Sequence, residues 1–298
     1  MNTEKGKTMK LDISDVKTIG TGIRRPEGVM ALDDGSLYTA DGRGRCAKIE
    51  RDGKTSFFGD VGGTPNGICI DTAGNCIIAN LSNGQVQSLT PDGYHRVILT
   101  EVEGKKMSAW NFPFVDSKDR LWVSNSTENT DVFEVLRNPT PDGSVVLLEK
   151  GCARIVADGL YFANGLTLDR TEKYLYVAQS TRWNVLRYRI QADGSLGAPE
   201  TFGPSPLAEN GVPDGIAFDE ADNLWVTFPS LNAIGYITPE GRLEMVLEDP
   251  QKKILQRPSN ICFGWEKRMT AFIGSLDGTT IPYFKVPYPG MRLVHQKI

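Results

Sequence analysis

Six short polar side chains recur along this chain, each at the point where a Pro- or Gly-containing turn leads into an apolar segment. They are Glu27, Asn66, Asn111, Asn164, Asp214 and Asn260. Two carboxylates and four amides offer only oxygen as a ligand. This set suits a hard divalent ion, with Ca²⁺ first and Mg²⁺ or Mn²⁺ next, whereas Zn²⁺ or Fe²⁺ fits it less naturally. Such an ion would polarise a carbonyl oxygen and lower the pKa of a water molecule, with Asp214 as the base that takes the proton.

The elements that must position these residues are predicted to be strands. The six polar residues lie 39 to 53 residues apart, which is the period of a four-stranded propeller blade. In the first unit, short strand-like runs at 28–32, 37–40, 46–50 and 55–59 are separated by turns, two of which contain Asp-Gly. The same order recurs in later units, and no segment of twelve or more residues has a helical period. The sequence therefore predicts an all-β chain, a six-bladed β-propeller whose polar residues face one mouth of the channel.

The two ends of the chain predict how the ring of blades closes. After Asn260 only three strands can be counted, and the run at 16–20 near the N-terminus stands in the place of the missing fourth. An N-terminal strand that completes the last blade would remove two exposed sheet edges. We therefore predict a disordered tail over residues 1–11 and a single propeller domain over residues 12–298.

Each polar residue also has a simpler interpretation. Asn-Gly and Asp-Gly are common in turns, so any one of these residues could be a turn former without a chemical role. The occurrence of all six at the same phase of the repeat favours a shared site instead. Glu128 is a further candidate, because it lies in a long polar loop of the third unit that could act as a lid at the channel mouth. An ordinary solvated loop is the alternative for Glu128.

Composition argues against several classes of function. The net charge is −4 and there is no extended Lys/Arg run, so nucleic acid is not expected as a partner. The polar N-terminus and the lack of 18 consecutive apolar residues predict a soluble, cytoplasmic protein without a membrane partner. Five cysteines without a Cys-x-x-Cys pair argue against a zinc ribbon or a disulfide scaffold. The two histidines, His95 and His295, are predicted to be solvated, so the chemistry would not use histidine.

Three motifs in this chain are similar to those of a known family. They are Arg25-Pro26-Glu27-Gly28, Ala163-Asn164-Gly165-Leu166 and Pro213-Asp214-Gly215-Ile216. In combination they resemble the senescence marker protein/gluconolactonase/luciferin-regenerating family of six-bladed propeller lactonases. The resemblance implies that one divalent metal ion is bound by Glu27, Asn164 and Asp214, that Asp214 is the general base, and that the substrate is a lactone.

The resemblance also implies roles for residues of the third unit. Asn111 would contact water or substrate, and Glu128 would occupy the place of a lid-loop glutamate. Sugar lactonases of the family commonly carry an arginine and an aspartate beside the asparagine, where this chain has Ala109 and Phe112. That exchange removes a cation and an acceptor and adds apolar surface next to Trp110. We therefore expect a substrate less polar than an aldonolactone, with the contacting residues being Asn111, Asn66, Trp110 and Phe112.

The leading hypothesis is a metal-dependent hydrolase that opens the ring of a small lactone, or cleaves a related ester. Two other classes stay open, because a fold does not determine a function. One is a non-catalytic propeller that binds a metal ion or ligand, and the other is a metal-dependent isomerase or lyase acting on a cyclic metabolite. A relationship to the strictosidine synthase group of propellers is less favoured, because Glu27, Asn164 and Asp214 all match the metal-binding pattern.

Overall fold

The protein is a six-bladed propeller in which the blades are four-stranded antiparallel sheets. The structure, a computed structural model, describes residues 9–296. One strand near the N-terminus, β1 (Lys17–Ile19), belongs to the last blade. The first three blades contain β2 (Val29–Ala31), β3 (Leu37–Asp41), β4 (Arg45–Ile49) and β5 (Thr55–Asp60), then β6 (Pro65–Ile70), β7 (Cys76–Asn80), β8 (Gln85–Leu89) and β9 (His95–Leu99), then β12 (Trp110–Val115), β13 (Leu121–Asn125), β14 (Gly143–Glu149) and β15 (Cys152–Leu160).

The second half of the chain repeats this arrangement. The last three blades contain β16 (Ala163–Leu168), β17 (Tyr174–Gln179), β18 (Asn184–Arg189) and β19 (Glu200–Phe202), then β20 (Ile216–Phe218), β21 (Leu224–Phe228), β22 (Ala233–Ile237) and β23 (Leu243–Glu248), then β24 (Pro258–Gly264), β25 (Thr270–Ser275) and β26 (Ile281–Lys285) with β1. Outside the blades are a short hairpin, a one-turn helix and two 3₁₀ turns, namely β10 (Glu101–Val102) with β11 (Lys105–Lys106), α1 (Val132–Arg137), Ile13–Asp15 and Glu266–Arg268. The prediction of a nearly all-β, six-bladed propeller is confirmed.

The N-terminal segment closes the ring, as its sequence predicted. β1 pairs with β26 in antiparallel register, with Lys17 opposite Tyr283 and Ile19 opposite Ile281. Of the tail predicted to be disordered, residues 1–8 lie outside the described residues. Within residues 9–11, the Leu11 N–H donates to the Val246 carbonyl at 2.9 Å. No helix within residues 9–296 is long and apolar enough to cross a bilayer.

The C-terminal segment closes the channel at the ends of the inner strands. The His295 ring nitrogen Nε2 lies 3.0 Å from the Ala31 carbonyl, and the Gln296 amide donates to the Phe263 carbonyl at 3.1 Å. Residues of this segment line a small, mostly apolar cavity of about 30 Å³. Desolvation lowers the pKa of His295. The prediction that His295 is solvated at the surface is therefore wrong, since the chain end folds back onto the blades.

The turn between the first two strands of a blade is held by an aspartate. In the third blade, Asp116 is fully buried and accepts a 2.7 Å ion-paired hydrogen bond from Arg120 Nε and a 2.9 Å hydrogen bond from Trp122 Nε1. Backbone N–H groups of Lys118 and Arg120 donate to the same carboxylate at 3.0 Å. In the second blade the corresponding Asp71 accepts hydrogen bonds only from backbone N–H groups and an asparagine.

This difference predicts that replacing each aspartate by alanine lowers the free energy of unfolding by unequal amounts. Asp116→Ala leaves the nearly buried Arg120 guanidinium without its counterion, so we expect the free energy of unfolding to fall by about 3–5 kcal/mol. Asp71→Ala removes only neutral hydrogen bonds and should cost about 1–2 kcal/mol. Urea unfolding of both variants measures the difference. Equal losses would contradict the importance of the buried ion pair.

Candidate metal centre

The ring residues lie where the inner strands are irregular. In β6, β12 and β16 the pairing register shifts between residues 65 and 68, 110 and 113, and 163 and 166, so Asn66, Asn111 and Asn164 each lie at a β-bulge. Glu27 and Asp214 lie two residues before β2 and β20 begin. A bulge re-aims side chains that a regular strand would send to alternate faces. The chain thus places the predicted polar residues at one end of the six inner strands.

Glycines next to these residues allow the inner strands to approach one another. A Cβ at Gly28 would lie 2.6 Å from the Asn66 carbonyl oxygen, and one at Gly165 would lie 2.5 Å from that of Asp214. Neither glycine has a positive φ, so neither is needed for a turn conformation. The Glu-Gly, Asn-Gly and Asp-Gly pairs are therefore sites of close packing around the channel, which argues against the simpler turn-former interpretation.

Besides Asn260 Oδ1, four side-chain oxygens in the ring are buried without a hydrogen-bond partner among the described residues. They are Glu27 Oε2, Asn111 Oδ1, Asn164 Oδ1 and Asp214 Oδ1. The four residues are only 1 to 6% exposed, so bulk water does not replace the missing partners. A buried unpaired oxygen costs free energy, and in native structures such an atom calls for an explanation such as an ion or ordered water. Two carboxylate and two amide oxygens fit a hard cation with oxygen ligands.

Two serines determine which atom each amide presents. The Ser180 hydroxyl donates to the Pro213 carbonyl at 2.8 Å, so its oxygen is left to accept the 3.0 Å hydrogen bond from Asn164 Nδ2. The Ser126 hydroxyl likewise donates to the Ala163 carbonyl of the next blade at 2.9 Å, and its oxygen accepts a hydrogen bond from Asn111 Nδ2. Because a carbonyl can only accept, both amides must turn Oδ1 away from the serine. Each serine therefore orients a free oxygen and joins two blades.

Burial and mutual repulsion disturb the two carboxyl groups. Desolvation raises the pKa of Glu27 well above its ordinary value, and the nearby charge of Asp214 raises it further. Desolvation also raises the pKa of Asp214 to about 7, while the charge of Arg25 and a hydrogen bond from Asn164 act in the opposite direction. Two buried carboxyls that raise each other's cost of ionisation are typical of a functional site, and a cation between them would relieve that cost.

The remaining ring residues have different surroundings. Asn66 has both ends of its amide engaged, because Oδ1 accepts from Arg25 Nη2 at 2.8 Å and Nδ2 donates to the Asn111 carbonyl at 3.3 Å. Asn260 is fully buried, and neither its amide oxygen nor its amide nitrogen has a partner among the described residues. Asn66 is thus a link between Arg25 and the third blade.

Trp110 and Phe112 do not lie at the mouth of the channel. Trp110 is fully buried in the core, where its indole N–H donates to the Gly84 carbonyl at 3.2 Å. Phe112 is also buried in the core and lines the small apolar cavity beside the C-terminal segment. The expectation of a substrate less polar than an aldonolactone relied on these two side chains, and their placement removes that support.

Glu128 lies in solvent rather than among the buried oxygens. Its carboxylate is about half exposed and is 3.5 Å from Lys105 Nζ. The backbone around it is held by the Ser108 hydroxyl, which donates to the Glu128 carbonyl at 3.0 Å. Glu27, Asn111, Asn164 and Asp214 are thus buried at the starts of their inner strands, whereas Glu128 lies on an exposed loop of the third blade.

Sequence reasoning missed three residues of this site, Ser126, Ser180 and Arg25. Each serine directly follows the second strand of its blade, and in the first blade the same place is taken by Gly42. This shared position in the repeat is the sequence signal that could have identified the two serines. Within residues 9–296 no three His, Cys, Asp or Glu side chains are grouped as metal ligands, because half of this donor set consists of amides.

The chain is similar to curated proteins over about two thirds of its length. It is 26% identical over 229 residues to a gluconolactonase of Zymomonas mobilis, covering 70% of this chain and 60% of that protein. It is also 26% identical over 196 residues to strictosidine synthase-like protein 9 of Arabidopsis thaliana, covering 63% and 50%. The aligned part is thus 50 to 60% of the length of these relatives.

Solved structures show the same fold at lower identity. A gluconolactonase from Xanthomonas campestris superposes with a TM-score of 0.74 at 20% identity, covering 92% of this chain and 89% of the other. Regucalcin from Agrobacterium tumefaciens, described as a calcium-binding protein, superposes with a TM-score of 0.69 at 14% identity, covering 92% and 99%. The sequence pattern of the SMP-30/Gluconolactonase/LRE-like region matches residues 96–277, more than half of the chain. This chain belongs to the SMP-30/gluconolactonase/LRE-like family.

Proposed function

We propose that this protein is a divalent-metal-dependent hydrolase that opens a lactone ring or cleaves a related ester. The observation that carries the proposal is the set of four buried, unpaired oxygens contributed by Glu27, Asn111, Asn164 and Asp214. Glu27, Asn164 and Asp214 would hold the ion, with Ca²⁺ as the first candidate. An ion held there supplies Lewis-acid polarisation of the carbonyl oxygen and lowers the pKa of water. Membership of a lactonase-type family supports the reaction class.

The proton transfers and the positioning of water or substrate are assigned to residues of the chain. Asp214 takes a proton from the water that attacks the carbonyl carbon, acting as the general base. The ring C–O bond then breaks, and the proton passes from Asp214 to the leaving oxygen, which gives a hydroxy acid. Asn111 Oδ1, oriented by Ser126, accepts a hydrogen bond from the water or from a substrate hydroxyl. No histidine takes part.

The test is a titration of metal and activity on the same preparation. Protein stripped with a chelator is titrated with Ca²⁺, Mg²⁺, Mn²⁺ and Zn²⁺, and hydrolysis of a panel of lactones and aryl esters is followed by proton release. We expect turnover to rise in parallel with occupancy of one site. Binding without turnover of any lactone or ester would favour a non-catalytic propeller, and conversion without net proton release would favour an isomerase or lyase.

The serine beside Asn164 allows a test of the ligand set. Ser180→Ala removes the acceptor that orients the Asn164 amide, so we expect the dissociation constant of the ion to rise about 10-fold. Ser126→Ala is the matched control, because it frees Asn111, which is assigned to water or substrate rather than to the ion. It should lower kcat with little change in ion affinity, measured by calorimetric titration. Unchanged ion affinity in Ser180→Ala would contradict the assignment of Asn164.

A further inference from the structure

Arg25 stands at the mouth of the site, two residues before Glu27. It has a φ of 50°, which is an unusual conformation for a residue other than glycine. Its guanidinium reaches the neighbouring blade, where Nη2 donates to Asn66 Oδ1 at 2.8 Å and Nη1 donates to the Pro65 carbonyl at 3.3 Å. The side chain is therefore fixed across the junction of the first two blades, and it is only partly buried.

Arg25 lies two residues before Glu27, and its guanidinium is bonded to the ring residue Asn66. It forms no ion pair with any carboxylate of residues 9–296. A guanidinium has five N–H donors, and the hydrogen bonds to Asn66 and Pro65 use two of them. Arg25 thus keeps donors in a fixed fork that suits a carboxylate, sulfonate or phosphate group.

Gly42 leaves space for the side chain of Arg25. A Cβ on Gly42 would lie 3.0 Å from Arg25 Cβ and 3.5 Å from Arg25 Cδ, so a larger residue would press against the arginine stem. Gly42 occupies the place in the first blade where the third and fourth blades have Ser126 and Ser180. One position in the repeat therefore orients an amide oxygen in two blades and makes room for an arginine side chain in another.

A second arginine occupies the same place in the neighbouring blade. Arg257 precedes Pro258 as Arg25 precedes Pro26, and it has a φ of 58°. Its side chain is 46% exposed and lies 3.7 Å from Asp277, which offsets part of its charge. Two carboxylates balance a divalent ion, so Arg25 leaves the mouth of a loaded site positive, and this favours an anionic ligand.

We propose that the substrate is an anionic lactone or ester whose carboxylate or sulfonate group is bound by Arg25. Arg257 adds to the positive field at the mouth. This inference rests on the proposed hydrolase function and specifies its substrate class. Sugar lactonases of the family commonly carry an arginine at the position of Ala109. In this chain, Arg25 of the first blade would supply the positive charge instead.

The experiment compares a matched pair of lactones that differ only in charge. The probes are γ-butyrolactone-γ-carboxylate and the corresponding carboxamide, assayed with the metal-loaded enzyme. We expect kcat/KM to be about 10- to 100-fold higher for the carboxylate, mainly through KM, because a charge-assisted hydrogen bond contributes that much. Arg25→Gln should abolish this preference by lowering kcat/KM for the carboxylate more than for the carboxamide, and Arg25→Lys should restore part of it. Arg24→Gln removes the same charge one residue away and should keep the preference.

The possible outcomes separate this inference from the proposed function. If no lactone or ester is hydrolysed, the hydrolase proposal fails. If both lactones are hydrolysed with equal kcat/KM, or if Arg25→Gln lowers both equally, the anionic substrate class is overturned and the hydrolase remains. A second measurement on the unmodified enzyme compares inhibition by glutarate and glutaramide. We expect at least tenfold tighter competitive inhibition by glutarate, and equal inhibition would also overturn the inference.

Discussion

Asp214→Asn is expected to lower kcat/KM on a hydrolysable lactone by about 10³-fold and to leave the propeller folded. The substitution keeps the size of the side chain and still offers an oxygen, but asparagine cannot accept a proton from water. The backbone of residue 214 keeps its hydrogen bonds, which join its N–H to the Thr227 carbonyl at 3.0 Å and its carbonyl to the Gly165 N–H at 3.2 Å. The loss should therefore be in kcat, since substrate contacts at the mouth are retained.

An aspartate in the loop of the third blade provides the control. Asp131 caps α1, accepting from the Phe133 and Glu134 N–H groups, and asparagine is an equally good N-cap. Asp131→Asn should therefore keep wild-type kcat/KM and thermal stability. Stopped-flow or pH-indicator assays of both variants, with circular dichroism melting curves, make the comparison. If Asp214→Asn retained more than a tenth of wild-type kcat, Asp214 could not be the base.

The repeat was sufficient to predict the blades, the closing strand and the six ring positions, because each depends on local spacing. The period of 39 to 53 residues and the Asp-Gly corners are both visible in the sequence. The partner that leaves Asn164 Oδ1 free is Ser180, sixteen residues away and on another strand. Such a contact depends on how strands pair in the folded blade, so the sequence alone did not distinguish the free amides from the engaged Asn66.

Trp110 and Phe112 show a second limit of sequence reasoning. A regular strand alternates its side chains between two faces, so a one-residue shift reverses every assignment that follows it. β12 has such a shift between Trp110 and Pro113, and both aromatic side chains are buried in the core. Asn111 between them lies at the bulge, as Asn66 and Asn164 do in their blades. Arg25 was missed because the sequence does not show that its guanidinium reaches Asn66 in the next blade.

Compared with wild type, the Glu27→Gln variant should be more stable without a metal ion and less stable with one. Glu27 is 1% exposed, and the costs of burying its charge beside Asp214 raise its pKa. A neutral glutamine does not carry that cost, so at pH 8 in a chelator we expect the variant to be more stable than wild type by about 1–3 kcal/mol. The melting temperature would rise by roughly 2–4 °C for each kcal/mol.

With added Ca²⁺, wild type should be the more stable of the two proteins. Wild type gains about 2.7 kcal/mol at an ion concentration 100 times the dissociation constant, whereas Glu27→Gln replaces a charged carboxylate ligand by a neutral amide and gains little. The melting curves of the two proteins would therefore change order between chelator and Ca²⁺. Glu128→Gln is the control, since its exposed carboxylate should affect neither condition. A Glu27→Gln protein that is less stable in chelator and equally stabilised by Ca²⁺ would show that this carboxylate serves the fold rather than the ion.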